Sequence, residues 1–238
     1  MNCKSNFRNL CQKEFDGAEC CILGAGPSLS NASADFICSM PCFAVNSAIL
    51  YVKWLNGEGK NRFWVSNDSL CLRWNYWDIV KKSNCNIVVR DSWCKYQSIL
   101  PENYHMFYPR KKNYDFEYNI SDELCFCSSV PTCIDMAIGF GFKKIYIFGV
   151  DHNESNCGYF WSTWKDSDKP KQVIDFQGAR NFFTKPLALQ QPIDQRLEVW
   201  RENMKCFSFL NDVAKQRGIT IVNMNPESKV KNFRYEHM

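Results

Sequence analysis

The run Cys20-Cys21-Ile22-Leu23-Gly24-Ala25-Gly26-Pro27-Ser28-Leu29-Ser30 takes a short apolar stretch into two glycines, a proline and hydroxyl side chains. Glycines let a backbone approach a ligand closely, and free N–H groups at a helix start attract phosphate. The run therefore reads as a phosphate loop at the carboxyl end of a first strand. An ordinary tight turn has the same outline. Neither the full Gly-x-Gly-x-x-Gly fingerprint nor the Gly-Lys-Ser/Thr of a P-loop is present. Further along, apolar runs close on Asn46, on Asn67-Asp68 and on Asp151, and Ser128-Ser129 stands where a helix begins. Taken singly, each is a normal turn or cap residue. Together they describe polar groups gathered along one edge of a sheet.

The elements needed to gather them can be read in order. Strands are predicted over residues 19–24, 41–46, 62–68, 86–89, 145–151 and 220–223, with a further one near Tyr104–Tyr108. Ser28, Ser30 or Asn31 is the expected cap of a weak helix reaching Met40, residues 47–55 read as helical, and Ser69 is expected to cap a Trp-rich helix through Val80. Between Ser128 and Phe140, Val130, Cys133, Ile134, Ala137 and Ile138 follow the helical i, i+3, i+4, i+7, i+8 pattern. Pro131 is tolerated only in a first turn, which sets the start of this helix at the serines. Ile145–Val150 is continuously apolar apart from its glycine, as expected of a strand buried on both faces. Residues 152–192 have no sustained period and read as a lid or binding loop. Ile193 to about Arg217 is a long amphipathic helix stopped by Gly218. Strands alternating with helices predict one α/β domain over residues 1–238, a doubly wound, mostly parallel sheet. Such sheets bind ligands beyond the carboxyl ends of their strands, where the polar residues named above are expected.

A chain of 238 residues is long enough for a substantial core, and its net charge of +4 is too mild to argue for nucleic-acid binding. The start Met1-Asn2-Cys3-Lys4 is polar, and no apolar run approaches the ~20 residues of a membrane span. The 14 cysteines are therefore expected to be reduced, mostly buried, in a cytoplasmic protein. Cys125-x-Cys127 and Cys20-Cys21 do not have the spacing of structural zinc ligands, so no metal site is expected from them.

From Ile22 to Phe233 the chain resembles the bacterial lipooligosaccharide sialyltransferases that use CMP-sialic acid. It also resembles their wider superfamily, which holds the motility accessory factor glycosyltransferases and the archaeal hydroxymethylpterin diphosphokinases. The carrying motifs are Gly24-Ala25-Gly26-Pro27-Ser28-Leu29, Val45-Asn46, Val65-Ser66-Asn67, Ser128-Ser129, Gly141-Phe142-Lys143-Lys144-Ile145-Tyr146 leading to Gly149-Val150-Asp151, and Asn225-Pro226-Glu227-Ser228. The resemblance implies a Rossmann-like, GT-A-like sheet with a lid near 152–192. It implies a CMP-type nucleotide held by Asn46 and Asn67, with Ser128 and Ser129 assisting and Tyr159 helping the phosphate leave. Where these relatives carry Gly-Asn-Gly, this chain has Gly24-Ala25-Gly26. A second leaving-group tyrosine is replaced by Asn153, and the lid histidine that acts as base has no counterpart, Lys185 lying near its place.

The chemistry so implied is transfer of a sugar from a nucleotide donor to an acceptor hydroxyl, with no required cofactor. The nucleotide must be held, the leaving phosphate stabilised and the acceptor deprotonated. Gly24, Ala25, Gly26, Pro27, Ser28, Asn46, Asn67, Ser128, Ser129 and Gly149 are the expected nucleotide-binding set. His152, Tyr159 and Asp151 are the expected catalytic set. His152 is the candidate base because its unperturbed pKa is near ~6.5; the alternative is an exposed loop histidine. Asp151 either orients a ribose, binds a metal or caps a turn. Two alternatives stay open: Mg²⁺-dependent diphosphoryl transfer through Asp68 and Asp151, and a nucleotide-binding module without catalysis. The acceptor is a saccharide, a protein or a modified nucleic-acid base. Trp74-Asn75-Tyr76-Trp77 and Tyr159-Phe160-Trp161 are read either as stacking platforms or as core, and self-association into a homo-oligomer stays open.

Overall fold

A computed structural model of the chain describes residues 15–54, 61–110, 123–125, 127–152, 160, 165, 167, 169, 171, 173–174 and 193–236. The strands are β1 (Glu19–Leu23), β2 (Cys42–Val45), β3 (Arg62–Ser66), β4 (Asn86–Arg90), β5 (Tyr104–Pro109), β6 (Glu123–Leu124), β7 (Lys144–Phe148), β8 (Thr220–Asn223) and β9 (Arg234–Tyr235). The helices are α1 (Ala34–Cys38), α2 (Ile49–Trp54), α3 (Tyr76–Lys82), α4 (Ser129–Gly139) and α5 (Ile193–Gln216). The nine strands form one sheet in the order β6-β5-β4-β3-β2-β1-β7-β8-β9. Every pairing is parallel.

Alternate residues of each strand enter opposite cores, as strand geometry requires. Cys20 and Ile22 of β1, Phe43 and Val45 of β2, and Phe63 and Val65 of β3 pack on the face covered by Ile134 and Ile138 of α4 and Phe207 and Leu210 of α5. Cys21 and Leu23, Cys42 and Ala44, and Trp64 pack on the other, with Ile37, Leu50, Trp77 and Val80 from α1, α2 and α3. The chain winds outward from β1 with helices on one face and returns through α4 to β7 on the other. This is the predicted doubly wound sheet, and its direction reverses between β1 and β7.

Several local expectations are corrected. Ser33, not Ser28, Ser30 or Asn31, caps α1 by accepting from Phe36 N, and Pro27–Asn31 is a 3₁₀ turn. Asp68, not Ser69, caps the turn after β3, its side chain accepting from Leu70 N. The Trp-rich stretch is a 3₁₀ segment, Ser69–Arg73, followed by α3, so it is two short elements rather than one helix. Trp77 is core: its ring lies 5.8 Å from Trp64 and 6.1 Å from Trp93. Two short strands, β6 and β9, are additions to the predicted set; two residues show no period. Phe15, ahead of β1, also contributes to the core, stacking on Phe142 at 4.9 Å. The expected lid at 152–192 lies almost wholly outside the described residues.

Two glycines with similar backbones separate two kinds of constraint. Gly149 (φ +64) has its would-be Cβ position in hard contact with the Gly24 carbonyl, whereas Gly218 (φ +66), at the end of α5, has open space there. Gly218→Ala is expected to cost about 1 kcal/mol, the left-handed penalty alone. Gly149→Ala adds a backbone clash and is expected to cost about 3 kcal/mol or more. Urea denaturation of both variants checks the difference.

Candidate functional site

Direction reversal in a parallel sheet normally opens a crevice between the two diverging loops. Here the two loops are joined by hydrogen bonds. Gly24 N–H donates to the Phe148 carbonyl (2.8 Å) and Gly26 N–H to the Gly149 carbonyl (2.9 Å). Ser28 N–H donates to Asp151 Oδ2 (3.0 Å), and Asn225 Nδ2 donates to Asp151 Oδ1 (2.5 Å). A side chain at Gly26 would strike the same carboxylate. The amides of Gly24, Gly26 and Ser28 are thus engaged inside the protein, and Pro27 has none. Ala25 offers its carbonyl to Phe160 N–H (3.1 Å). Of the loop's side chains, Ser28 Oγ is buried without a partner among the described residues. Asp151, 9% exposed, acts here as an acceptor that ties the Gly24–Ser28 loop to Asn225.

An open cavity of about 530 Å³ lies further along the same sheet edge. Asn46, Asn67, Asp68, Arg90, Cys127, Ser128, Ser129, Glu198, Val199 and Glu202 line it. The expected residues thus divide. Asn46, Asn67, Ser128 and Ser129 come together in one pocket. Gly24, Ala25, Gly26, Pro27, Ser28, Gly149, Asp151 and His152 are not in its lining. Tyr159 lies outside the described residues. Of the two carboxylates named for Mg²⁺, Asp68 lines the pocket and Asp151 is in the β1–β7 clasp. Among the described residues no group of three His, Cys, Asp or Glu is arranged to hold a metal ion.

Each pocket residue is placed by a short polar link. Asn46 follows β2 with a left-handed backbone (φ 51), a conformation asparagine tolerates better than most residues. Its carbonyl accepts from the Trp64 indole (2.8 Å), and its Oδ1 accepts from Cys71 Sγ (3.5 Å). Among the described residues its Nδ2 donors have no acceptor. Asn67 follows β3 and is more firmly committed: its N–H donates to Ser129 Oγ (3.1 Å) and its Nδ2 to Thr132 Oγ1 (3.1 Å). Asn67 therefore fastens the start of α4 to the end of β3. Thr132 completes the link by donating to the Cys125 carbonyl (2.5 Å).

The first turn of α4 supplies positive potential. Ser128 caps it with extended backbone and no side-chain capping bond. The first N–H groups of any helix lack intrahelical acceptors, and Pro131 has none to offer, so Ser129 and Val130 present theirs. Arg90 adds a guanidinium whose Nε lies 3.6 Å from Asp91 Oδ1. Asp68, Glu198 and Glu202 add negative charge, with Glu202 paired to Lys205 (3.1 Å). The arrangement suits a ligand with an anionic group against α4 and Arg90 and hydrogen-bonding or cationic groups elsewhere. Arg90 ends β4 just as Asn46 and Asn67 follow β2 and β3, so extending the strand-end rule by one strand would have found it. Glu198 and Glu202, one helical turn apart on α5, carry no such signal.

His152 is half-buried, with a left-handed backbone (φ 44) and its ring edge-on to Phe207 at 5.9 Å. The exposed-loop alternative is thereby corrected. Burial pushes its pKa below the ordinary value, opposed by the charge of Asp151. Asn46 and His152 are the non-glycine residues with positive φ among the described residues, and both stand in the sets expected from sequence. Left-handed strain at non-glycine positions concentrates at functional sites.

No protein-family model and no curated protein sequence matches this chain. Among solved structures it is similar to the MAf glycosyltransferase from Magnetospirillum magneticum AMB-1, at 13% identity and a TM-score of 0.52, over 93% of this chain and 34% of that one. It is also similar to the sialyltransferase CstII from Campylobacter jejuni in complex with CMP-3FNeuAc, at 18% identity and a TM-score of 0.50, over 91% of this chain and 85% of that one. At these identities the likeness is one of fold. The chain spans about a third of the length of the first of these proteins.

The two described histidines give the fold a pH signature. Burial depresses the pKa of both His105 and His152, so the unfolded chain binds protons more readily than the folded one as pH falls through the ordinary value of 6.5. Their contribution is fully present above that value and is lost progressively below it. Thermal melts are expected to show a lower Tm at pH 5.5 than at pH 7.5. Replacing His105 and His152 together with Gln should flatten that acid limb.

Proposed function

We propose that this protein is a glycosyltransferase that moves a sugar from a cytidine-nucleotide donor, held over the start of α4, to an acceptor hydroxyl. The observation that carries this reading is the convergence of Asn46, Asn67, Ser128 and Ser129 with Arg90 on one cavity at the carboxyl edge of a parallel sheet. The fold shared with two glycosyltransferases supports it. In this reading the Nδ2 donors of Asn46 reach an oxygen of the nucleotide. The Ser129 and Val130 amides, the serine hydroxyls and Arg90 hold the phosphate as negative charge develops on it. Asn67 positions α4 through Ser129 and Thr132. His152 is assigned to the acceptor's proton from its residue type and place in the sequence, since it is not in the cavity lining. Tyr159 is assigned to the leaving phosphate from the resemblance alone. The acceptor is a saccharide, a protein hydroxyl or a modified nucleic-acid base.

A thermal-shift panel of CMP, CDP, ATP with Mg²⁺, UMP and GMP tests the nucleotide. At a hundredfold excess over Kd, CMP is expected to raise Tm by about 5–10 °C. Asn46→Gly keeps the left-handed backbone and removes only the side chain, so it should abolish the shift with little change in the unliganded Tm. A shift with ATP and Mg²⁺, and none with any cytidine nucleotide, overturns the reading in favour of diphosphoryl transfer.

A further inference from the structure

Three carboxylates, Asp68, Glu198 and Glu202, line the open cavity against one guanidinium, Arg90. Glu202 shares Lys205 at 3.1 Å and Arg90 lies 3.6 Å from Asp91, so these pairs leave the acidic excess where it was. Asp68 and Glu198 are in no ion pair among the described residues. Glu198 and Glu202 stand at i, i+4 on α5, so they share one helix face. Like charges at that spacing oppose helix formation, and a cation held between them relieves the repulsion. Val199, 54% exposed and also in the lining, puts an apolar surface beside them.

The start of α4 has the reverse character. Its first amides lack intrahelical acceptors. Ser129, only 6% exposed, lines the cavity with a hydroxyl that accepts from Asn67 N–H. That hydroxyl has no acceptor for its own proton among the described residues. A buried donor in this state is completed by an oxygen from a ligand or solvent. The cavity, about 530 Å³, is of the size that holds one small ligand, so its anion-binding and cation-binding groups serve one bipolar molecule.

We propose that the transferred group is an amino sugar, its ammonium held by Glu198 and Glu202 while its phosphate lies against Ser129 and Arg90. This rests on the reading of the cavity as a nucleotide-sugar site and names the class of sugar. In such a donor the group adjoining the phosphate is the sugar, so an ammonium in the same cavity belongs to it. Val199 receives the apolar C–H face of the ring. An acidic sugar would bring a further negative charge among three carboxylates, a juxtaposition that rejects a ligand. A neutral sugar would leave the repulsion between Glu198 and Glu202 unrelieved.

The test uses the whole chain and sugar 1-phosphates, with Kd read by calorimetry at mildly acidic pH, where the amine carries its proton. Glucosamine 1-phosphate is expected to bind about fivefold more tightly than glucose 1-phosphate, and glucuronic acid 1-phosphate more weakly than either. Raising salt from about 50 mM to about 500 mM should shrink the preference for the amine. Glu198→Gln combined with Glu202→Gln, both outside the core, should bring the three Kd values within about twofold of one another. No preference for the amine, a preference that survives the double variant, or tightest binding of the glucuronic acid compound overturns the proposal. Methyl glucosaminide, which has the amine and no phosphate, separates donor from acceptor. If its binding beside CMP depends on Glu198 and Glu202 while glucosamine 1-phosphate shows no preference, the ammonium belongs to the acceptor and the assignment to the donor falls. The sugar phosphates contain no nucleotide, so the amine preference can fail while the cytidine panel succeeds, or hold while that panel fails.

Discussion

The close backbone contact between Gly24 and Gly149 governs the rest of the molecule. These residues end the two strands at which the sheet reverses direction, and each occupies space that the other's side chain would need. With the loops in contact, the Gly24 and Gly26 amides donate to the Phe148 and Gly149 carbonyls, and Asp151 takes the amide of Ser28. Among the described residues an open cavity lies over the ends of β2, β3 and β4, where Asn46, Asn67 and Arg90 stand.

Helix α4 is the second wall of that volume, and buried polar links set its position. Asn67 bonds to Ser129 and Thr132 at its start, while Asp135 in its middle accepts from Cys125 N–H (2.8 Å) and lies 3.6 Å from the Arg110 guanidinium. Arg110 in turn donates to the Glu123 carbonyl (2.7 Å). Losing one partner of a buried ion pair generally costs about 3–5 kcal/mol, because the other charge is left uncompensated. Glu123 and Cys125, the sheet edge at β5–β6 and α4 are thus linked. Displacement of Cys127 or Ser128 would be felt by all three.

Much of this architecture is legible in the sequence because it depends on period and punctuation. The apolar run at Ile145–Phe148, the helical spacing from Val130 to Ile138 and the stop at Gly218 each carry their own signal. The short strands Glu123–Leu124 and Arg234–Tyr235 do not, being too brief to show alternation. The candidate site is legible only in part. Asn46, Asn67, Ser128 and Ser129 follow from the rule that ligands sit beyond strand ends. That rule does not show whether a loop's amides face outward or are engaged internally. Asp151 and Ser28 lie 123 residues apart, and their bond leaves no mark on either local sequence.

The hydrogen bond from the Trp64 indole to the Asn46 carbonyl has an optical consequence. Trp64 is fully buried, with Trp77 and Trp93 each about 6 Å away, so excitation of any of the three indoles passes readily among them. An indole's emission colour follows the polarity around its N–H, and here that N–H ends on the backbone of a pocket residue. Of the chain's eight tryptophans, Trp64 is thus the one whose indole N–H bonds directly to the backbone of Asn46.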